Sequence, residues 1–175
     1  MSNISRYAFG DIVEYITNPT NPDLNNRSGY LLFVKAEVDG FYAIKGYKMR
    51  NMSDEQKGKI EQLGLLLGEE NSDLHVDTFF DYNYMVKYSY DFINGYRWTL
   101  NEKLKNEAVQ GIIKADNDKM YPDTFKINSF LETIKYSETT ENIETKNVAM
   151  VSPIQSGIIE QSNGISRKRT NVVNK

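Results

Sequence analysis

Arg27 is the residue of this chain whose type and position best suit phosphate chemistry. It ends a polar loop, Thr17 to Arg27, and is separated from the apolar run Tyr30 to Val34 by Ser28 and Gly29. A guanidinium at such a junction can hold a phosphate through two hydrogen bonds and stabilise the charge that develops in phosphoryl transfer. Asp11 and Glu14 could supply a carboxylate base. The alternatives are a surface ion pair for Arg27 and solvent-facing positions for the two acids.

A second group of candidate side chains combines positive charge with aromatic rings. Its members are close in sequence and are Tyr42, Lys45, Tyr47, Lys48 and Arg50. Single-stranded nucleic acid is bound by such combinations, because the cations attract phosphates while bases stack on the rings. These five residues are the candidate binding set for RNA or another partner. The alternative is an exposed strand end whose lysines discourage aggregation.

Residue types also narrow the chemistry. The only histidine is His75, flanked by Asp73 and Asp77, so a histidine relay would have to use it. The chain has no cysteine, which excludes thiolate zinc sites and cysteine nucleophiles. Glycine-rich phosphate loops are also missing from the sequence. We expect a site without metal or cofactor; the alternative is a purely carboxylate site for Mg²⁺, for which the sequence has no spaced acidic motif.

Composition predicts one domain with a tail. The chain has 175 residues and a formal net charge of −3, which gives neither a global basic field nor an acidic mimic of DNA. No apolar stretch is long enough to cross a bilayer, and the lack of cysteine fits a reducing compartment. We expect a cytoplasmic protein without a membrane partner. The abundance of Asn, Lys, Ile and Tyr is typical of AT-rich genomes and their mobile elements, such as phages and plasmids.

Alternating apolar residues predict the strands that must position these side chains. The predicted strands are Phe9 to Tyr15, Ser28 to Glu37, Phe41 to Lys48, Leu74 to Tyr90 and Tyr96 to Thr99. The segment Leu74 to Tyr90 is either one long strand or two strands with a kink near Asp81. Asp39-Gly40 and Asn94-Gly95 are predicted turns, because these residue types tolerate positive φ. The tyrosines of the fourth strand could form an exposed strip, formed by Tyr82, Tyr84, Tyr88 and Tyr90. Such a strand set predicts a small curved antiparallel barrel.

Helical periodicity predicts about three helices outside this barrel. The first spans Ser53 to Gly68 and opens with a capping box, the second follows a Thr99-x-x-Glu102 capping box, and the third opens at Pro122. From residue 137 onward the chain is polar and aperiodic. We therefore predict a mainly β, α+β domain over 1–136 and a disordered tail over 137–175.

The first fifty residues resemble the MazF/PemK-like toxin endoribonucleases. The similarity lies in Gly10-Asp11-Ile12-Val13 on a first strand, a long polar loop, an apolar second strand and a third strand after a tight turn. This resemblance implies an SH3-like barrel with helices and a homodimer that cleaves single-stranded RNA without metal. It also implies an arginine near position 27 and a hydroxyl residue at the end of the third strand, where this chain has Lys45.

Two functions follow as expectations. The first is a toxin endoribonuclease of a toxin-antitoxin pair, or a relative that has lost catalysis, with single-stranded RNA and an antitoxin as partners. The second is a non-enzymatic phage- or plasmid-encoded protein that engages a host macromolecule through barrel and tail. Lys45 at the hydroxyl position favours the second function, because an ammonium cannot replace a threonine hydroxyl. The Gly10 to Val13 motif and Arg27 favour the first.

Overall fold

The computed structural model describes residues 6–21, 28–50, 52–68 and 72–135. Two compact units divide the chain, Met1–Glu132 and Thr133–Lys175, and the architecture below is that of the first unit. Arg27 and the predicted tail, 137–175, lie outside the described residues.

One antiparallel sheet of six strands forms the first unit. The strands are β1 (Asp11–Ile16), β2 (Ser28–Glu37), β3 (Gly40–Lys48), β4 (Gly64–Leu67), β5 (Thr78–Tyr88) and β6 (Ile93–Thr99), and their order across the sheet is β4-β5-β3-β2-β1-β6. The helices are α1 (Asp54–Ile60), α2 (Glu102–Asn117) and α3, residues 127–135. The expected mainly β fold with appended helices is confirmed. The expected barrel is wrong, since β4 and β6 are free edges and the sheet is neither closed nor strongly curled.

The β2–β3 hairpin lies where it was predicted, but its turn is one residue earlier than Asp39-Gly40 and needs no positive φ. Glu37 pairs with Gly40, so the turn residues are Val38 and Asp39 and Gly40 already belongs to β3. Among the described glycines only Gly10 has a positive φ, of 94°. A Cβ on Gly40 would lie 2.2 Å from the Tyr88 carbonyl oxygen. Glycine is required there because β5 approaches β3 closely.

The segment predicted as one helix, Ser53 to Gly68, is a helix followed by a strand. The capping box is present, since Ser53 and Gln56 each accept from the other's backbone N–H. However, α1 buries none of its residues, and the chain then turns into β4, which pairs with the start of β5. The apolar run at Leu65 to Leu67 is too short for its periodicity to distinguish a helix from a strand. It forms a strand because it pairs with the edge of β5.

β6 also differs from expectation. It pairs with β1, and Asn94-Gly95 is a bulge within β6 where a turn was predicted. Asn101, in place of Thr99, caps α2 by accepting from the Leu104 N–H. α3 begins at residue 127, later than the predicted start at Pro122.

Alternation along the strands gives the sheet two faces with different cover. The first, which we call the tyrosine face, carries a buried cluster of Val13, Tyr15, Leu31, Phe33, Phe41 and Ala43, against which Tyr7, Tyr88, Tyr90 and Ile93 pack. The second, the helix face, includes Tyr42 and lies beneath α2 and the segment that leads to α3. The rings of Tyr42 and Phe125 meet edge-on there, with centroids 5.2 Å apart. Within the described residues, no helix is long and apolar enough to span a membrane.

Candidate nucleic-acid interface

The cations of the sheet divide into those with and those without a carboxylate partner. Three of the strand cations pair with acids, as Lys35–Glu37, Lys87–Asp39 and Arg97–Glu14. Lys45 and Lys48 form no ion pair within the part of the chain that the structure describes, and neither does Arg50, just after β3. The unpaired charges of the sheet are therefore concentrated where β3 ends.

Lys45 lies between two tyrosine rings on the tyrosine face. Its Nζ is 5.7 Å from the Tyr15 ring centroid and 5.8 Å from that of Tyr47. A lysine in this position is attracted by the negative faces of the rings. The Tyr15 ring is buried, whereas Tyr47 is 42% exposed. One ring thus anchors the ammonium and the other is open to solvent.

Gly29 of β2 makes this arrangement possible. It pairs with Tyr15 across β1 and β2, and a Cβ at this position would lie 2.5 Å from Tyr15 Cε1. Without that Cβ, the Tyr15 ring lies over the backbone of β2. Lys45 is on β3, on the far side of β2, and reaches Tyr15 across this gap.

Lys48 and Arg50 extend the positive charge to the end of the sheet. Lys48 alternates to the helix face, where its Nζ lies 5.7 Å from the Tyr30 ring centroid, and Arg50 is exposed. Tyr42, the remaining member of the predicted binding set, is only 2% exposed and packs on Phe125. Its ring belongs to the core and does not reach a surface. The set is therefore divided between the two faces.

Asp11 and Glu14 lie on opposite faces of β1 and are both engaged. Asp11 accepts from the Thr99 hydroxyl at 2.6 Å and from the Ala8 N–H at 2.8 Å. Glu14 accepts from Arg97 Nη2 at 2.7 Å, and this contact raises the pKa of Arg97. The two carboxylates thus hold β1, β6 and the preceding segment together. They do not converge on one site.

Arg27 lies outside the described residues, but its neighbour in sequence has a defined place. Ser28 opens β2 opposite Ile16, at the end of the sheet where β3 finishes with Lys48.

Tyr88 packs against the buried cluster of the tyrosine face. Burial, and then the proximity of Tyr15 and Tyr47, raises the pKa of Tyr88 to about 12. The rings of Tyr15 and Tyr88 are 6.5 Å apart, centroid to centroid. Tyr88 therefore stays neutral over the physiological pH range.

His75 and two surface hollows lie outside the group of cations at the end of β3. His75 is exposed and lines a surface hollow of about 420 Å³ with Ser72, Asp73 and Leu74. Among the described residues, no three His, Asp or Glu side chains are grouped as metal ligands would be. A second hollow, of about 560 Å³, lies between α2 and β4 and is lined by charges of both signs, including Lys103 and Glu107.

Sequence reasoning missed Tyr15, Gly29 and Tyr30 as parts of the interface. Tyr30 opens an apolar run, Gly29 precedes that run and Tyr15 lies in an alternating strand, so nothing in the sequence marks them as site residues. Their roles follow only from the pairing of β1, β2 and β3. Tyr15 lies beside Lys45 and Tyr30 beside Lys48, while Gly29 leaves space for the Tyr15 ring.

Comparison with known proteins identifies no relative, since no family model matches the chain and no curated protein matches it significantly. The resemblance to the MazF/PemK-like family therefore stays a prediction.

Proposed function

We propose that the protein binds single-stranded RNA at the end of β3 and does not use Asp11 or Glu14 to cleave it. One observation carries the proposal. Lys45 and Lys48 have aromatic rings as neighbours and no carboxylate partner among the described residues, whereas the other strand cations are paired.

The energetics favour these lysines as phosphate ligands. A phosphate that approaches Lys87 or Arg97 must compete with a carboxylate already in place. At Lys45 the phosphate meets an ammonium that contacts two rings and pairs with no carboxylate among the described residues. Charge neutralisation and counterion release are then not offset by the loss of an ion pair. The exposed ring of Tyr47 beside it can stack on a base.

A binding function fits the acids better than an enzymatic one. A general base must reach the proton that it abstracts. Asp11 already accepts two hydrogen bonds and Glu14 is ion-paired on the other face. Lys45 also stands where the resemblance implies a hydroxyl residue. Toxin activity, with Arg27 as its central residue and an antitoxin as partner, stays a sequence prediction.

The binding test uses fluorescence anisotropy with a labelled single-stranded RNA of mixed sequence. A Lys45→Gln/Lys48→Gln variant should lose about tenfold or more in affinity, because two phosphate contacts are removed. Lys87→Gln is the matched control, since it removes one exposed lysine of the same sheet whose partner is Asp39. We expect its affinity to equal that of the wild type. Absent wild-type binding, or equal binding by all three proteins, contradicts the proposal.

Cleavage is followed on the same RNA without metal, with wild type and Arg27→Ala side by side. The RNA should stay intact. Cleavage by the wild type that is lost in a well-folded Arg27→Ala variant would establish the endoribonuclease function instead. Growth arrest on expression, relieved by the adjacent gene, would support the toxin-antitoxin interpretation.

A further inference from the structure

β5 carries a bulge of four residues directly opposite Lys45. Ile44 pairs with Met85 and Gly46 pairs with Phe80. Between these pairs β3 contributes Lys45 alone, whereas β5 contributes residues 81–84. Bulges in sheets re-aim side chains beside functional sites. The side chains of this bulge therefore lie on the strand next to Lys45.

Three contacts hold the bulge in place. The Asn83 N–H donates to Asp81 Oδ1 at 2.9 Å, and the Tyr121 hydroxyl donates to the Tyr82 carbonyl at 2.7 Å. The Tyr82 ring packs on α2 at Gly111, where a Cβ would lie 2.2 Å from the ring. Tyr82 is thereby fixed against the helix, and the residues that follow it leave the bulge in a defined direction.

Tyr84 is the aromatic side chain that the bulge exposes. It is 58% exposed, whereas its neighbour Met85 is 5% exposed and points to the helix face. Alternation places Tyr84 on the tyrosine face, together with Val86, which pairs with the buried Ala43. The predicted exposed strip of four tyrosines is thus wrong, because Tyr82 packs on α2 while Tyr88 and Tyr90 are partly buried against the core cluster. Of the four, only Tyr84 is largely exposed.

We propose that Tyr84 is a base-stacking residue of the RNA interface. A single strand crosses the sheet from β3 to β5, with a phosphate at Lys45 and unpaired bases on Tyr47 and Tyr84. This inference rests on the proposed function and adds a requirement to it. The ligand must present at least two unstacked bases, since a duplex hides the base faces that the rings need.

Lys45, beside the exposed ring of Tyr47, is what favours a nucleic acid over an apolar protein surface. Burying Lys45 against an apolar partner would desolvate an ammonium that has no carboxylate among the described residues, which is costly. A nucleotide offers both a negative phosphate for the lysine and a π-face for each tyrosine. Protein contact at this surface is the competing outcome of the test.

The experiment compares Tyr84→Ala with Tyr96→Ala, using the single-stranded RNA above. Tyr96 is the matched control, because it is 56% exposed and lies on β6 at the far edge of the sheet. Tyr84→Ala should weaken RNA binding by about tenfold, whereas Tyr84→Phe, which keeps the ring, and Tyr96→Ala should bind as the wild type does. Thermal melting of all four proteins checks that each is folded.

A second ligand separates stacking from charge. An abasic oligonucleotide of the same length keeps the phosphates and lacks the bases, so wild type and Tyr84→Ala should bind it equally. If Tyr84→Ala binds the RNA normally while the Lys45→Gln/Lys48→Gln variant does not, the Tyr84 inference is wrong and the proposed function stands. If the wild type binds no single-stranded RNA, the proposed function itself is wrong, and Tyr84 with it.

Discussion

At the scale of single residues, the position of Lys45 depends on the absence of a side chain at Gly29, because Gly29 leaves space for the Tyr15 ring beside Lys45. The Tyr15 ring fills the space above Gly29, and both are buried. The Tyr15 ring also lies 6.5 Å from the Tyr88 ring, centroid to centroid. A methyl group at position 29 must therefore displace the ring that anchors Lys45.

We expect Gly29→Ala to lower the free energy of unfolding by about 1–3 kcal/mol, as overpacked cores do. The same change should weaken RNA binding, because Lys45 loses the ring on one side. Gly95→Ala is the control, since Gly95 is also in a strand and has no atom within 4 Å of the new Cβ. Urea denaturation of both variants makes the measurement. An unchanged midpoint for Gly29→Ala would contradict the packing described.

The raised pKa of Tyr88 makes the free energy of unfolding depend on pH in the alkaline range. Its pKa rises from 10.0 in a free tyrosine to about 12 in the fold, so the fold favours the neutral phenol. The stability that this group contributes is complete below pH 10 and is lost as the pH rises through about 12. Burial also raises the pKa of Tyr82 and of Tyr121, which acts in the same direction.

Melting temperature should therefore fall between about pH 10 and pH 12, and it should fall less for Tyr88→Phe than for the wild type. Thermal denaturation followed by circular dichroism at several pH values in this window provides the check. Identical pH dependence in the two proteins would mean that the Tyr88 hydroxyl is not desolvated by the fold.

At the scale of elements, the same substitution should have opposite effects in two helices. Gly58 lies in α1 with open space around its Cβ position, whereas Gly111 lies in α2 against the Tyr82 ring. Alanine has the higher helix propensity in both places. In α2 that gain is smaller than the cost of forcing Tyr82 off the helix.

We expect Gly58→Ala to stabilise the protein by about 0.5–1 kcal/mol and Gly111→Ala to destabilise it by about 1–3 kcal/mol. Chemical denaturation of the two variants tests both signs in one experiment. Because Tyr82 anchors the bulge that presents Tyr84, Gly111→Ala should also reduce RNA affinity, while Gly58→Ala should not. Stabilisation by both changes would show that α2 does not pack on Tyr82 as described.

At the scale of the whole molecule, a net charge of −3 makes any binding of RNA a local effect. In the proposed binding, the attraction comes from Lys45, Lys48 and Arg50, which pair with no carboxylate among the described residues, against a mildly repulsive background. Homodimer formation, which the family resemblance implies, stays a prediction at this scale.

Three phosphate contacts to a single strand predict a slope of about −2 for the logarithm of affinity against the logarithm of salt concentration. Affinity should then fall by roughly fifteen- to twentyfold between 50 and 200 mM salt. Titrations across that range, with the Lys45→Gln/Lys48→Gln variant alongside, measure the slope. A slope near zero would indicate that phosphate contacts do not drive binding.

The sequence by itself determined features that depend on near neighbours in the chain. The bounds of β2 follow from an apolar run between polar segments, and the start of α1 follows from the reciprocal cap of Ser53 and Gln56. A kink near Asp81 was one of two alternatives for this segment, and β5 has its bulge there. Backbone dihedrals and local hydrogen bonds are encoded within a few residues, so such features can be read without a fold.

Tertiary structure alone decided what lies beside each side chain. The run at Leu65 to Leu67 became a strand because the edge of β5 was free to pair with it. Register across β1, β2 and β3 placed Gly29 beneath Tyr15 and left Lys45 between two rings, while Tyr42, only three residues away, was buried under Phe125. These contacts join residues distant in sequence, and a shift of one residue in register would exchange the two faces of the sheet.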